Sequence, residues 1–145
     1  SEQLIWTAMQ QRFELLAKTA KQAAVVLMID AEESWIQDSI DSIVLMMMKK
    51  YNKQKTIVFN TVQMYRHDRL EYLKDLHNSS KQNDFEIGIK LVRGAYIEKE
   101  NIRAKKLNYF IRFASRFISA RIATIFYTRM IIGALTQHAL KEIGI

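Results

Sequence analysis

Apolar residues recur at two different periods along this chain, and the two periods alternate. Leu4, Ile5, Ala8, Met9, Phe13, Leu16 and Ala20 fall at helical spacing and predict a helix from about Leu4 to Lys21. Val25 to Ile29 is a short, continuous apolar run ending at Asp30, the pattern of a strand buried on both faces of a parallel sheet. Helical spacing returns from Ser34 to Tyr51, with Trp35, Ile36, Ile40, Ile43, Val44 and Met47 as the inner face. Thr56 to Phe59 predicts a second strand that ends at Asn60-Thr61. A helix is expected from about Met64 to Asn78, a polar turn from Ser79 to Asp84, a third strand from Phe85 to Val92, and a last helix from Tyr96 to Leu107.

The predicted strands end at Asp30, Asn60 and Arg93, a spacing of one βα unit each. Alternating strands and helices imply an α/β fold with a parallel sheet and right-handed crossovers. Three successive strand C-termini then place polar residues on one rim, where such folds bind ligands. Periodicity does not separate an open sheet from a barrel.

Composition narrows the chemistry. There is no cysteine, so disulfides and thiolate metal sites are excluded. His67, His77 and His138 lie far apart without ligand spacing, and no metal site is expected. Met46-Met47-Met48 reads as core plus a helix edge, not as a metal box. The chain contains no proline, which is unusual for a domain with many loops. The net charge is +7, and it is unevenly spread: 17 Lys/Arg face 14 Asp/Glu through Asn108, against 5 and 1 from Tyr109 onward. From Tyr109 Asp is absent and Glu appears once, and phenylalanines and isoleucines mix with arginines, a pattern that predicts one or two basic amphipathic helices. No recognition motif accompanies the charge, so nucleic acid is not an expected partner.

Three blocks carry candidate chemistry. Asp30-Ala31-Glu32-Glu33 follows the first strand and, taken locally, reads best as a helix N-cap with acids in the first turn. Asn60-Thr61-Val62-Gln63-Met64-Tyr65 follows the second, and here capping and function are equally good local readings. In the functional one, the Gln63 amide offers a donor and an acceptor to a planar heterocycle. Lys90-Leu91-Val92-Arg93-Gly94-Ala95-Tyr96 is harder to explain as structure. Lys90 and Arg93 flank a buried strand end, where charge is costly unless paired or met by an anion. Gly94 allows close backbone approach to a ligand. No P-loop, GxGxxG or Ser-His-Asp order is present.

Together, in this order and spacing, the three blocks resemble proline dehydrogenases of the monofunctional type, over about residues 6–108. The resemblance implies a distorted (β/α)8 TIM-type barrel that holds FAD. It also implies oxidation of L-proline to Δ1-pyrroline-5-carboxylate, with electrons passed on to a quinone. By position, Asp30 would line the substrate pocket, Gln63 would touch the flavin and Lys90 would lie near its redox-active edge. Val92, Arg93, Gly94 and Ala95 would form the flavin-facing strand end, with Tyr96 beside it. Asp30, Lys90 and Tyr96 are thus the expected catalytic residues, and Gln63, Lys90, Val92, Arg93, Gly94 and Ala95 the expected cofactor contacts.

A full barrel needs about 250 residues, and about three strands are recognisable here. The family's substrate-binding lysine and its carboxylate-gripping arginine pair have no counterpart. The expectation is therefore a partial barrel domain over residues 1–108 and a divergent or out-of-frame helical tail over 109–145, with weak or no activity for the chain alone. The alternative is a non-catalytic barrel fragment that self-associates or binds a partner or a membrane surface. With no targeting segment seen, the expected location is the cytoplasm or, in a bacterium, the periphery of the inner membrane.

Overall fold

The computed structural model describes residues 2–30, 33–64, 66, 68–92 and 97–108. Within them, elements alternate as α1 (Glu2–Gln22), β1 (Leu27–Ile29), α2 (Gln37–Tyr51), β2 (Val58–Gln63), α3 (Arg69–Asn83), β3 (Ile89–Val92) and α4 (Ile97–Leu107). The three strands form one parallel sheet in the order β1-β2-β3. The expected α/β class and parallel pairing are present. The helices expected beyond Tyr109 lie outside the described residues.

Several boundaries differ from expectation, each for a tertiary reason. β1 begins only at Leu27, whose N–H donates to Ile57 O at 2.8 Å. Val25 and Val26 precede this ladder and remain 54% and 48% exposed, so the apolar run is not buried throughout. β2 does not stop at Asn60. It continues through Asn60, Thr61 and Val62 to Gln63, because β3 pairs with each of these residues. Helix α3 starts at Arg69, five residues later than expected, and runs on through the serines expected to form a turn. Ser80 Oγ donates to His77 O and Asn83 Nδ2 to Ser79 O, both at 2.8 Å, so polar side chains close their hydrogen bonds inside the helix. The helix ends at Asp84, left-handed at φ 50°, whose N–H donates to Ser80 O. Trp35 precedes α2 and is 76% exposed, not part of the inner face.

The core lies between the sheet and α1, α2 and α3. Ile29, Val58, Val62, Ile89 and Leu91 meet Ile40, Val44, Met48 and Leu73 there. Met47 and Met48 are core and Met46 is the exposed helix edge, as expected.

Asn52 joins three elements where α2 ends. Its Nδ2 donates to Val58 O (2.8 Å) and Glu86 O (3.0 Å), and its Oδ1 accepts from the N–H groups of Ile57 and Val58. All four valences of the amide are used. The Glu86 N–H also donates to Asn52 O at 2.7 Å. One buried side chain thus sets the start of β2 against the approach to β3.

Candidate functional site

Alternation along β2 separates two chemistries. Val58, Asn60 and Val62 turn toward the helices: the valines enter the core, and Asn60 Nδ2 donates to Asp41 of α2 and Tyr72 of α3. Phe59, Thr61 and Gln63 therefore turn to the opposite face. The parallel register brings Lys90 and Val92 of β3 alongside Thr61 and Gln63, and Gly88, just before β3, lies beside Phe59 on the same face. At Gly88 an added Cβ would lie 2.3 Å from Val58 O and 3.0 Å from Phe59 Cγ, so only glycine lets β3 approach here.

A polar row crosses this face. Ile29 pairs with Asn60, so Asp30 follows level with Thr61, and Thr61 pairs with Lys90. Lys90 Nζ lies 2.6 Å from Asp30 Oδ2. The bridge joins the two outer strands across the middle one. One step further along, Gln63 pairs with Val92, and Gln63 is buried. Four of the expected site residues (Asp30, Gln63, Lys90 and Val92) therefore stand on one face at one end of the sheet. Arg93, Gly94, Ala95 and Tyr96 lie outside the described residues.

Two local readings are corrected by this placement. Asp30 is not the cap of α2: the residue at that position is Ile36, which makes no side-chain cap bond, and the Asp30 carboxylate is held by Lys90 instead. Asn60 to Gln63 form no turn or cap, because they are strand residues.

Behind β2, on the helix side, lies a buried ionic network. Asp41 Oδ1 accepts from Gln37 Nε2 and Asn60 Nδ2, both at 2.8 Å, and its Oδ2 sits 2.6 Å from Arg69 Nη1. Arg69 also grips Asp68 through Nε (3.1 Å) and Nη2 (2.5 Å). Arg66 holds the same Asp68 carboxylate through Nε at 3.0 Å and Nη2 at 2.6 Å, and donates to Ser34 O at 3.1 Å. Burial alone would raise the Asp68 carboxyl, but the hydrogen bonds from Arg69 and Arg66 outweigh it and hold the group well below the usual carboxylate range. Burial likewise opposes the charge on Arg69, and the Asp68 and Asp41 carboxylates more than restore it. Burial, helped by the Asp41 charge, pushes the Tyr72 phenol up, so it stays protonated beneath the Arg69 guanidinium, 4.9 Å from its ring centre.

This network ties the loop before α2 to the loop before α3, and through Asn60 it braces β2 directly behind the polar row. Its one legible sign in the sequence is Asp41, a carboxylate set inside the apolar stripe between Ile40 and Val44. Helix α4 completes the rim. Lys99 pairs with Glu33 at 2.8 Å and Arg103 Nη1 donates to Ser34 Oγ at 2.7 Å, both on the segment that follows β1.

A polar face at strand ends, with a cation, a carboxylate, an amide and a hydroxyl in two adjacent rows, is suited to a planar polar ligand. Among the described residues no group of three or more His, Cys, Asp or Glu side chains is placed to hold a metal ion.

The sequence matches the proline dehydrogenase family over residues 1–117. It is 44% identical over 109 residues to "Proline dehydrogenase 1, mitochondrial" of Drosophila melanogaster, covering 74% of this chain and 16% of that protein. The human protein of the same name is 38% identical over 108 residues, covering 74% of this chain and 18% of that protein. "Carbapenem antibiotics biosynthesis protein CarD" of Pectobacterium carotovorum subsp. carotovorum is 36% identical over 112 residues, covering 77% and 29% respectively. The chain thus spans less than a third of the length of each of these relatives. The fly and human proteins are named as mitochondrial, which overturns the expected cytoplasmic or bacterial inner-membrane location. No helix among the described residues is long and apolar enough to cross a membrane. With a family match across residues 1–117, joined to a parallel sheet whose polar face carries Asp30, Gln63 and Lys90, the chain belongs to the proline dehydrogenase family.

Proposed function

We propose that this chain supplies part of the cofactor and substrate site of an FAD-dependent proline dehydrogenase acting in proline catabolism, and that it acts in mitochondria, the location in the names of the fly and human relatives. The observation that carries the reading is the common face of Asp30, Thr61, Gln63, Lys90 and Val92. In this reading the sheet is one arc of a (β/α)8 barrel, with residues 1–108 as the barrel part and a sequence over 109–145 that is divergent or out of frame.

The residues present fit a flavin. Gln63 offers an amide donor and acceptor to the polar edge of a planar ring. Val92 beside it presents an apolar surface to the ring plane. Lys90 brings a positive charge that favours electron-rich, anionic forms of a bound ring. Asp30 holds that cation until the ring enters and lines the place where the amine of L-proline sits. By their place in the family pattern, Arg93, Gly94 and Ala95 are proposed as further cofactor contacts and Tyr96 as a catalytic residue. When bound, the flavin supplies the acceptor for the hydride lost by the proline ring carbon next to nitrogen. The proton leaves the nitrogen and a C=N bond forms, giving Δ1-pyrroline-5-carboxylate. A quinone is the proposed final electron acceptor.

Titration of the purified chain with FAD, followed by flavin fluorescence, tests the reading. Saturable quenching that Lys90→Met and Gln63→Leu each weaken is expected, with little proline-dependent dye reduction by the chain alone. Absence of saturable quenching overturns the flavin site.

A second reading rests on the sheet itself. Its order leaves β1 and β3 as edges among the described residues, and Val25 and Val26 are exposed where β1 begins. Unpaired edges favour association of strands from another chain. Light scattering that returns only monomer across a tenfold range of concentration would remove this reading.

A further inference from the structure

Thr61 occupies the middle of the polar row. Strands in a sheet lie about 4.8 Å apart, so the Lys90–Asp30 bridge, which joins the two outer strands, passes over β2 at Thr61. Thr61 is 1% exposed, and its Oγ1 has no hydrogen-bond partner among the described residues. A buried hydroxyl without a partner is disfavoured. Valine fills the same volume, suits a strand equally well and leaves no polar atom unmet. The hydroxyl is thus a group that the described fold does not use.

Its position indicates what does use it. Thr61 and Gln63 are two residues apart on one strand, so their side chains project from the same face about 6.7 Å apart. That is a span over which the polar edge of a fused heterocycle presents several carbonyl and ring-nitrogen groups. The roof over Thr61 is a pair whose side chains are 31% and 54% exposed, and ion pairs of that kind are weak and readily opened.

We propose that the Thr61 hydroxyl is a cofactor contact. It hydrogen-bonds the polar edge of the planar heterocycle that Gln63 meets further along β2, once the Lys90–Asp30 bridge swings aside to admit the ring. This rests on the flavin reading of the site and adds a residue to it. Thr61 positions the ring along the strand, while Lys90 supplies the charge.

The test compares Thr61→Val and Thr61→Ser in the full 145-residue chain, by FAD fluorescence titration and by thermal melting without FAD. Valine is expected to weaken FAD binding about five- to tenfold, the value of one neutral hydrogen bond. Serine should stay within about twofold of the parent. The melting temperature of the valine variant without FAD should equal or exceed that of the parent. If valine does not yield folded protein, Thr61→Ala removes the hydroxyl without adding bulk and is held to the same binding criterion. Parent-like FAD binding by the variant lacking the hydroxyl overturns the role of Thr61 and leaves the flavin site standing. A fall in the melting temperature without FAD for valine, restored by serine, makes the hydroxyl a structural group and overturns it too. Failure of the parent chain itself to bind FAD removes both.

Discussion

Lys90 Nζ meets Asp30 Oδ2 at 2.6 Å although the two residues belong to opposite edges of the sheet, with β2 between them. Both side chains keep substantial contact with water, so the pair contributes about 0–1 kcal/mol to stability. Asp30→Asn should therefore lower the free energy of unfolding in urea by less than about 1 kcal/mol, while weakening any proline-dependent flavin reduction strongly. A large loss of stability with unchanged flavin chemistry would make the bridge a structural clamp.

The opposite balance is expected at Asn52. Its side chain makes four hydrogen bonds in a fully buried position. Truncation strands two carbonyls and two N–H groups, with a cost on the order of 3 kcal/mol or more. Asn52→Ala should shift the urea midpoint sharply. Asn52→Asp keeps the acceptor but loses both donors and buries a charge, so it should rescue little. A midpoint within error of the parent would refute this account of how β2 is started.

Asp41 and Arg69 form a buried pair, 28 residues apart in sequence, with Asn60 as a third member. Removing one partner leaves the other desolvated and costs about 3–5 kcal/mol. Asp41→Ala should approach that figure. In the double variant Asp41→Ala with Arg69→Met, no buried charge is left facing an empty site at this contact. It should be clearly less destabilised than the sum of the single variants. Simple additivity in a denaturation cycle would argue against a coupled network behind β2.

The network also sets an acid limit. The folded-state Asp68 carboxyl is held below its ordinary value of 3.8 by Arg69 and Arg66, against the opposing effect of burial. The unfolded chain therefore binds the proton first. The stability that Asp68 contributes is complete above the ordinary carboxylate range and is lost as pH falls below it toward the depressed folded value. Asp68→Asn should lower stability at neutral pH and flatten the fall of stability between about pH 5 and pH 2. Parallel pH profiles for parent and variant would show that Asp68 is not a source of acid sensitivity.

The alternation of apolar periods was enough to establish the α/β class, the order of elements and the parallel sheet, because each βα unit must bury one stripe of a helix on one strand. The periods alone did not mark Asp30 and Gln63, whose local patterns also suit capping; the resemblance of the three blocks, taken together, singled them out with Lys90. Folding alone decided how far β2 extends, since Asn60 to Gln63 look like a turn until β3 supplies their ladder partners. It alone put Asn60 among the helices and Thr61 beneath the Lys90–Asp30 bridge, and it alone brought Asp41 to Arg69. These outcomes are contacts between residues tens of positions apart. Periodicity reports only which neighbours along the chain share a face, so a bond closed across the sheet leaves no trace in it.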